Sequence, residues 1–239
     1  MKAMIFAAGF GTRLGSLTAT KPKALVEVNG KPMLEHVVDY LKKYSITDVI
    51  INVHHFAEMI FDYVKQRNQF DLNIAFSDES EQLLDTGGGL MKAAWFFNNS
   101  DPFILHNVDI LSQTNLQDVV AKHIKSHALS TLVTKNRVTS RYLLLDSEGT
   151  LCGWKNNNTG EQIIVKDATP LTELAYSGIQ VVNPKIFSLY NKSGRFSLTP
   201  MYLELAKTNL ITTYQDDGLW FDLGKPESIK EAEAVFFKL

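Results

Sequence analysis

Residues 2–23 read KAMIFAAGFGTRLGSLTATKPK, and the fold hangs on how this stretch is taken. Met4 to Ala8 is apolar and short, the pattern of a fully buried first strand. It runs straight into Gly9-Phe10-Gly11, where missing Cβ atoms let backbone N–H groups come close to a ligand. Arg13 and Lys23 bring cations to the same neighbourhood. Convergent donors and positive charge at a strand end suit a polyphosphate. Commoner glycine motifs do not fit. A P-loop needs G-x-x-x-x-G-K-[ST], which does not follow this strand. A dinucleotide fingerprint needs a third glycine where Leu14 stands, and an acid at the end of the second strand, where Asn52 falls. An ordinary strand-to-loop turn with solvated cations would use the same glycines, so the glycines alone leave both readings open.

Downstream, Val26 to Pro32 reads as a short strand and turn, and Met33, Leu34, Val37, Val38 and Leu41 fall on one helical stripe. Asp48 to Val53 is a β-branched run, Ala57, Ile60, Phe61 and Val64 restore the helical period, and Asn73 to Phe76 is a third strand. This β-α-β-α-β order predicts a doubly wound, mostly parallel sheet with helices on both faces. Ligands bind such sheets beyond the carboxyl ends of the strands, where the glycine turn lies. The pair His54-His55 closes strand two; adjacent strand residues point to opposite faces, which favours a helix-entry role over a metal site.

Ser77 to Gly89, SDESEQLLDTGGG, is a second informative loop. Asp78, Glu79 and Glu81 read as a solvated turn. Thr86-Gly87-Gly88-Gly89 costs backbone entropy that a plain turn does not require, so exposed backbone there is expected to meet a nucleobase. Pro102 to Val108 is an apolar strand followed by Asp109, a carboxylate that is costly unless solvated, paired or metal-bound. Asp109 lies too far upstream to cap the helix that begins near Leu116. Ser130 to Thr134 is a further strand, and Tyr142 to Trp154 a β-hairpin turning at Ser147-Glu148-Gly149. Glu173 to Val182 returns a strand to the sheet, with Gly178 marking a bulge or a close backbone approach. Ser197 is the expected cap of a helix over Leu198 to Thr208. In Trp220 to Glu227, Asp222 precedes a last helix that Pro226 starts.

At 239 residues, with 45% hydrophobic and 21% charged, the chain has the make-up of a globular α/β domain. A net charge of −2 argues against a general nucleic-acid binder, so an anion site must be a local cation cluster. The single Cys152 excludes an intrachain disulfide and reads as a small semi-buried filler. No signal segment or bilayer-length apolar run is visible, and a cytoplasmic protein with no membrane partner is expected.

The strings Ala7-Ala8-Gly9-Phe10-Gly11-Thr12-Arg13-Leu14 and Pro22-Lys23-Ala24-Leu25 resemble the signature loop of the sugar-1-phosphate nucleotidyltransferases. Short, single-domain bacterial members, acting on N-acetylmuramate, mannose or heptose 1-phosphates, are the most similar in kind. The loop departs from the family in two places: members usually have Pro where Ser16 stands, and often Pro where Ala24 stands. Leu84 to Gly89 is similar to its base-binding loop, Asn107-Val108-Asp109 to its N-x-D metal motif with Val for Gly, and Tyr176-Ser177-Gly178-Ile179 to its acceptor-sugar motif. Trp220 to Glu227 is similar to W-x-D-[VIL]-G-[TK]-P-E, whose Asp is a second metal ligand.

The resemblance implies a nucleotide-diphospho-sugar transferase fold of three αβα layers, spanning 1–239 as one domain with a small lid-like β-hairpin insertion near 136–172. It implies Arg13 and Lys23 as catalytic cations and Ala8, Gly9, Gly11, Thr12, Gln82, Thr86 and Gly87 as nucleotide contacts. Gln82 would read a uracil edge, although an extra residue shifts its register. Gly178, Lys155 and Glu173 become sugar-phosphate contacts, with Lys155 lacking the neighbours of the family's Glu-Lys-Pro. Asp109 and Asp222 become ligands of Mg²⁺. The expected reaction joins a nucleoside triphosphate, UTP, to an N-acetylmuramate 1-phosphate-like sugar and releases pyrophosphate, in a monomer or small homo-oligomer. Guanylyl or cytidylyl transfer to mannose or heptose 1-phosphate or phosphocholine is the alternative, followed by a silent nucleotide-sugar sensor and a GT-A glycosyltransferase.

Overall fold

The computed structural model describes residues 1–98 and 101–238. Strand β1 (Lys2–Phe6) is buried along most of its length and leads into the glycine turn. A small ribbon, β2 (Glu27–Val28) with β3 (Lys31–Pro32), precedes helix α1 (Met33–Lys43). Then come β4 (Asp48–Val53), α2 (Ala57–Gln66), β5 (Asn73–Asp78), α3 (Asp85–Lys92) and β6 (Phe103–Asn107). In the sheet β1 lies between β4 and β6, with β5 outside β4, all parallel. The β-α-β-α-β order produces the expected doubly wound arrangement, because each helix returns the chain to the same end of the sheet.

Beyond β6 the chain departs from simple alternation. A short β7 (Ile110–Ser112) leads to α4 (Leu116–Ser126), whose N-cap is Asn115, its side chain accepting from the Gln117 N–H. The next strands are β8 (Ser130–Lys135), β9 (Arg141–Leu145), β10 (Leu151–Asn156), β11 (Glu161–Ile164) and β12 (Thr172–Val182). Long β12 pairs antiparallel with β6 and β8, and its first residues pair with β9. The expected hairpin is therefore part of a three-stranded antiparallel extension, β9, β10 and β11, continuous with the main sheet. Helices α5 (Ile186–Leu189) and α6 (Leu198–Ala206), strand β13 (Ile211–Gln215), strand β14 (Trp220–Asp222) and helix α7 (Pro226–Val235) complete the chain.

Apolar clusters fill both faces. One gathers Ile5, Leu34, Val38, Ile51, Ile104 and Leu223; the other gathers Met4, Phe97, Phe103, Met201 and Ile211. Alternate residues of β1 thus feed opposite faces, as the period of a strand requires. Cys152 is buried as a filler. Among the described residues no helix is long and apolar enough to cross a membrane. Thr86, rather than Ser197, serves the start of α6: its hydroxyl accepts from the Leu198 N–H at 3.0 Å, while Ser197 makes no side-chain cap.

His106 and His123 are buried polar residues of this core. Burial pulls each imidazole down to about 4, against a weaker upward pull on His106 from the Asn107 carbonyl and Asp109. Both are neutral when folded, and the unfolded chain binds their protons between about pH 6.5 and 4. Unfolding free energy should therefore fall as pH drops through that window, and His123→Asn should flatten the slope. Urea titrations at a series of pH values measure this; equal slopes in wild type and variant would remove His123 from the account.

Candidate active site

Gly11 sits at φ +68°, and a Cβ there would meet the Lys23 Cβ at 2.9 Å. Glycine is what lets the turn close over Lys23. Lys23 follows Pro22 into a short 3-10 turn, is nearly buried, and its ammonium pairs with the Asp109 carboxylate. On the same turn, the Arg13 guanidinium lies 3.9 Å from Asp222 Oδ1. Asp222 also accepts from the Gly224 N–H at 2.8 Å.

The two aspartates meet through strand pairing. β14 runs antiparallel to β7, with Asp222 opposite Ile110, and the Leu223 N–H donates to the Asp109 carbonyl at 2.8 Å. Two far-separated carboxylates are brought to neighbouring strands, each beside a cation of the N-terminal turn. Among the described residues no group of three or more His, Cys, Asp or Glu gathers to hold a metal ion unaided. Two hard oxygen donors on adjacent strands fit a divalent cation that takes its other ligands from substrate phosphates and water.

Two cavities open at this turn. The first, about 320 Å³, is lined by Ala8, Gly9, Lys23, Asn52, Asp85, Thr86, Asn107, Asp109 and Arg195, among others. The second, about 630 Å³, is lined by Arg13, Asp222, Arg137, Arg141, Trp154, Asn156 and Tyr176, among others. Thr12 is exposed at the turn between Gly11 and Arg13.

Several expected contacts are placed elsewhere. The Gly87 and Gly88 N–H groups both donate to the Phe196 carbonyl, at 2.9 and 3.0 Å. A Cβ on Gly87 would strike the Phe196 ring at 2.4 Å, and one on Gly88 the Gly194 carbonyl oxygen at 2.2 Å. The glycines admit close packing of the 194–196 segment, which takes up the Gly87 and Gly88 N–H groups and holds Arg195 at the first cavity. Gln82 is exposed, its N–H on the Glu79 carbonyl, and is outside the cavity lining. Lys155 and Glu173 pair with each other and line neither cavity. Gly178, at φ +83° in the β12 bulge, makes room for Asn107 and Ile110.

Glu79 is the largest departure from expectation. It is 0% exposed rather than part of a solvated turn. Its Oε1 accepts from Asn52 Nδ2 at 2.8 Å and its Oε2 from the Leu84 N–H at 2.9 Å; Asn52 Oδ1 accepts from the Ala7 N–H at 2.8 Å. His54 Nδ1 donates to the Glu79 carbonyl. This chain of bonds ties the glycine turn to the ends of β4 and β5 and to the entry of α3. Burial pushes the Glu79 carboxyl up, against the downward pull of the hydrogen bonds from Leu84 and Asn52. No local sequence signal marks Glu79, Arg137, Arg141 or Arg195, because polar residues in loops or at a strand's first position carry no periodicity.

Glu79→Ala leaves two donors, the Asn52 amide and the Leu84 N–H, without partners and should cost about 2 to 6 kcal/mol in chemical denaturation, at roughly 1–3 kcal/mol per unsatisfied group. Glu79→Gln keeps a single acceptor oxygen and should recover part of that. An alanine variant as stable as wild type would show the network to be dispensable.

Comparison with known proteins places these features. Residues 2–237 match the nucleotidyl transferase family. The chain is 30% identical to the N-acetylmuramate alpha-1-phosphate uridylyltransferase of Caulobacter vibrioides, covering 97% of this chain and 95% of that protein. It is 28% identical to the mannose-1-phosphate guanyltransferase of Schizosaccharomyces pombe, covering 95% of this chain and 62% of that longer protein. The fold superposes on HddC from Yersinia pseudotuberculosis complexed with GMP-PN, with a TM-score of 0.80 at 23% identity, covering 98% of this chain and 99% of that one.

Proposed function

We propose that this chain, which belongs to the nucleotidyl transferase family and is a sugar-1-phosphate nucleotidyltransferase, uses UTP and an N-acetylmuramate 1-phosphate-like acceptor. The observation that carries the reading is the pair of cavities opening at one glycine turn, each holding one cation of that turn and the aspartate paired with it, Lys23 with Asp109 and Arg13 with Asp222. The choice of uridylyl transfer leans on the similarity to the Caulobacter protein over nearly the full length of both chains.

A phosphate oxygen of the sugar 1-phosphate attacks the α-phosphorus, the bond to the β-phosphate breaks, and its electron pair leaves with pyrophosphate. The obstacle is repulsion between two anions, so alignment and preorganised positive charge dominate. No general base is required, since the attacking phosphate is already ionised near neutral pH. Lys23 stands at the α-phosphate, with Arg195 beside the nucleotide, and Arg13 receives the departing pyrophosphate. Backbone at Ala8, Gly9 and Gly11 and the Thr12 and Thr86 groups orient the triphosphate and nucleoside. Mg²⁺ held by Asp109 and Asp222 supplies Lewis-acid charge to the phosphate oxygens when bound.

A second reading has its own support. Asp85 presents a carboxylate to the first cavity, and guanine offers two adjacent donors, N1–H and N2–H₂, where uracil offers one. That favours guanylyl transfer, in line with the 28% identical guanyltransferase.

Pyrophosphate release from four NTPs against a panel of sugar 1-phosphates decides between the bases; the expected maximum is UTP with N-acetylmuramate 1-phosphate, and a GTP maximum would overturn it. Release of nucleoside diphosphate in place of pyrophosphate would point to a glycosyltransferase. Asp109→Ala and Asp222→Ala should each remove most turnover with native circular dichroism, and wild-type kcat under saturating Mg²⁺ would refute the metal role. Lys23→Ala should cost about a hundredfold or more; a loss below about threefold would leave it without a role in the reaction.

A further inference from the structure

The second cavity carries more positive charge than a neutral sugar phosphate requires. Among the described residues lining it, Asp222 is the one acid, against Arg13, Arg137 and Arg141. Arg13 is engaged with Asp222 at 3.9 Å. Arg137 is held in place: its Nη2 donates to the Tyr176 carbonyl at 3.2 Å, and its guanidinium lies 4.4 Å from the centroid of the Trp220 ring. Its Nε is buried with no hydrogen-bond partner among the described residues, a donor left over in the wall of a cation-lined site.

Arg141 stands apart from these. It opens β9, opposite Asn156 on β10, and its guanidinium makes no ion pair or hydrogen bond within the described chain. It borders both the second cavity and an adjoining one of about 320 Å³ that it shares with Trp154, Glu161, Ser197 and Thr199. Trp154 and Tyr142 supply flat apolar surface for the CH face of a pyranose, and Asn156 and Asn158 supply amides for its hydroxyls. A phosphate engages the end of the cavity near Asp222 and Arg137. That leaves the planar Arg141 fork, on the wall shared with the adjoining cavity, in the geometry that pairs bidentately with a carboxylate.

We propose that Arg141 is a specificity-determining residue that reads a carboxylate on the acceptor sugar, so that the enzyme selects acidic sugar 1-phosphates over neutral ones of the same ring. The inference rests on the acceptor assignment above and adds the residue that enforces it. Arg137 serves the shared phosphate and is indifferent to the carboxylate.

The test compares N-acetylmuramate 1-phosphate with the same amino-sugar 1-phosphate lacking the lactyl ether, measuring pyrophosphate release by wild type, Arg141→Gln and Arg141→Lys. Wild type should favour the acidic acceptor. Arg141→Gln should raise its KM about tenfold or more, the scale of one charge-assisted pair, with kcat within about threefold and the acid-to-neutral ratio of kcat/KM falling by the same factor. Arg141→Lys, which keeps the charge and loses the fork, should fall between. A wild type that does not discriminate, or a ratio within about threefold of wild type in Arg141→Gln, overturns the inference while leaving the transferase reading intact. Absence of pyrophosphate with every NTP and acceptor pair takes down the function itself, and this inference with it. Circular dichroism of the variants separates misfolding from lost recognition.

Discussion

Everything at the site depends on one short antiparallel ladder, Trp220–Asp222 against Ile110–Ser112. Closing so long a loop is entropically unfavourable, and the three paired residues of each strand cannot offset that alone. The core does so: Leu223 is fully buried in the same apolar cluster as Ile110 and Leu111, and α7 docks Ile229 and Ala232 there. The Trp220 indole N–H adds a bond to the Ser177 carbonyl at 2.8 Å. On the other side of β14, Lys135 and Asp216 form a mostly buried ion pair, and the ammonium also donates to the Gly218 carbonyl at 2.6 Å. The turn before β14 is thereby pinned to the end of β8. With the ladder in register, both aspartates face the glycine turn and its two cations.

Charge is managed locally. The chain as a whole carries −2, yet guanidinium groups with no partner among the described residues border both cavities: Arg195 at the first and Arg141 at the second. Such groups tolerate exposure because water solvates them until an anion replaces it. The nearly buried Lys23 has a carboxylate partner from the outset, since an isolated ammonium in that position would be strongly unfavourable. Glu79 is fully buried without a cation and persists because four hydrogen-bond donors converge on its side chain and backbone. Its function is to hold backbone: it sets the entry to α3 and, through Asn52, the course of the chain at Ala7.

Glycine does two different jobs here. Gly11 allows a left-handed turn to close on Lys23, where the sequence suggested only a close approach of backbone to a ligand. Gly87 and Gly88 allow one backbone to lie against another, and the segment they admit, 194–196, carries a cation to the first cavity. Both look alike as strings of small residues. What separates them is the object that fills the space a Cβ would take.

From sequence alone, the β-α-β-α-β alternation, the helical stripes, the strand-ending Asp109 and the cationic glycine turn were legible, because period and local chemistry encode them within ten or twenty residues. Family likeness of the motif strings added Asp222, whose own surroundings read as a pre-helix turn. The tertiary structure decided what depends on contacts between distant segments: the β7–β14 ladder that makes Asp222 a neighbour of Asp109, the burial of Glu79, the diversion of Gly87 to Phe196 and of Lys155 to Glu173, and the gathering of Arg137 and Arg141 around one cavity. A polar residue in a loop has no periodicity to announce its partner; its role exists only once the fold has chosen what stands opposite.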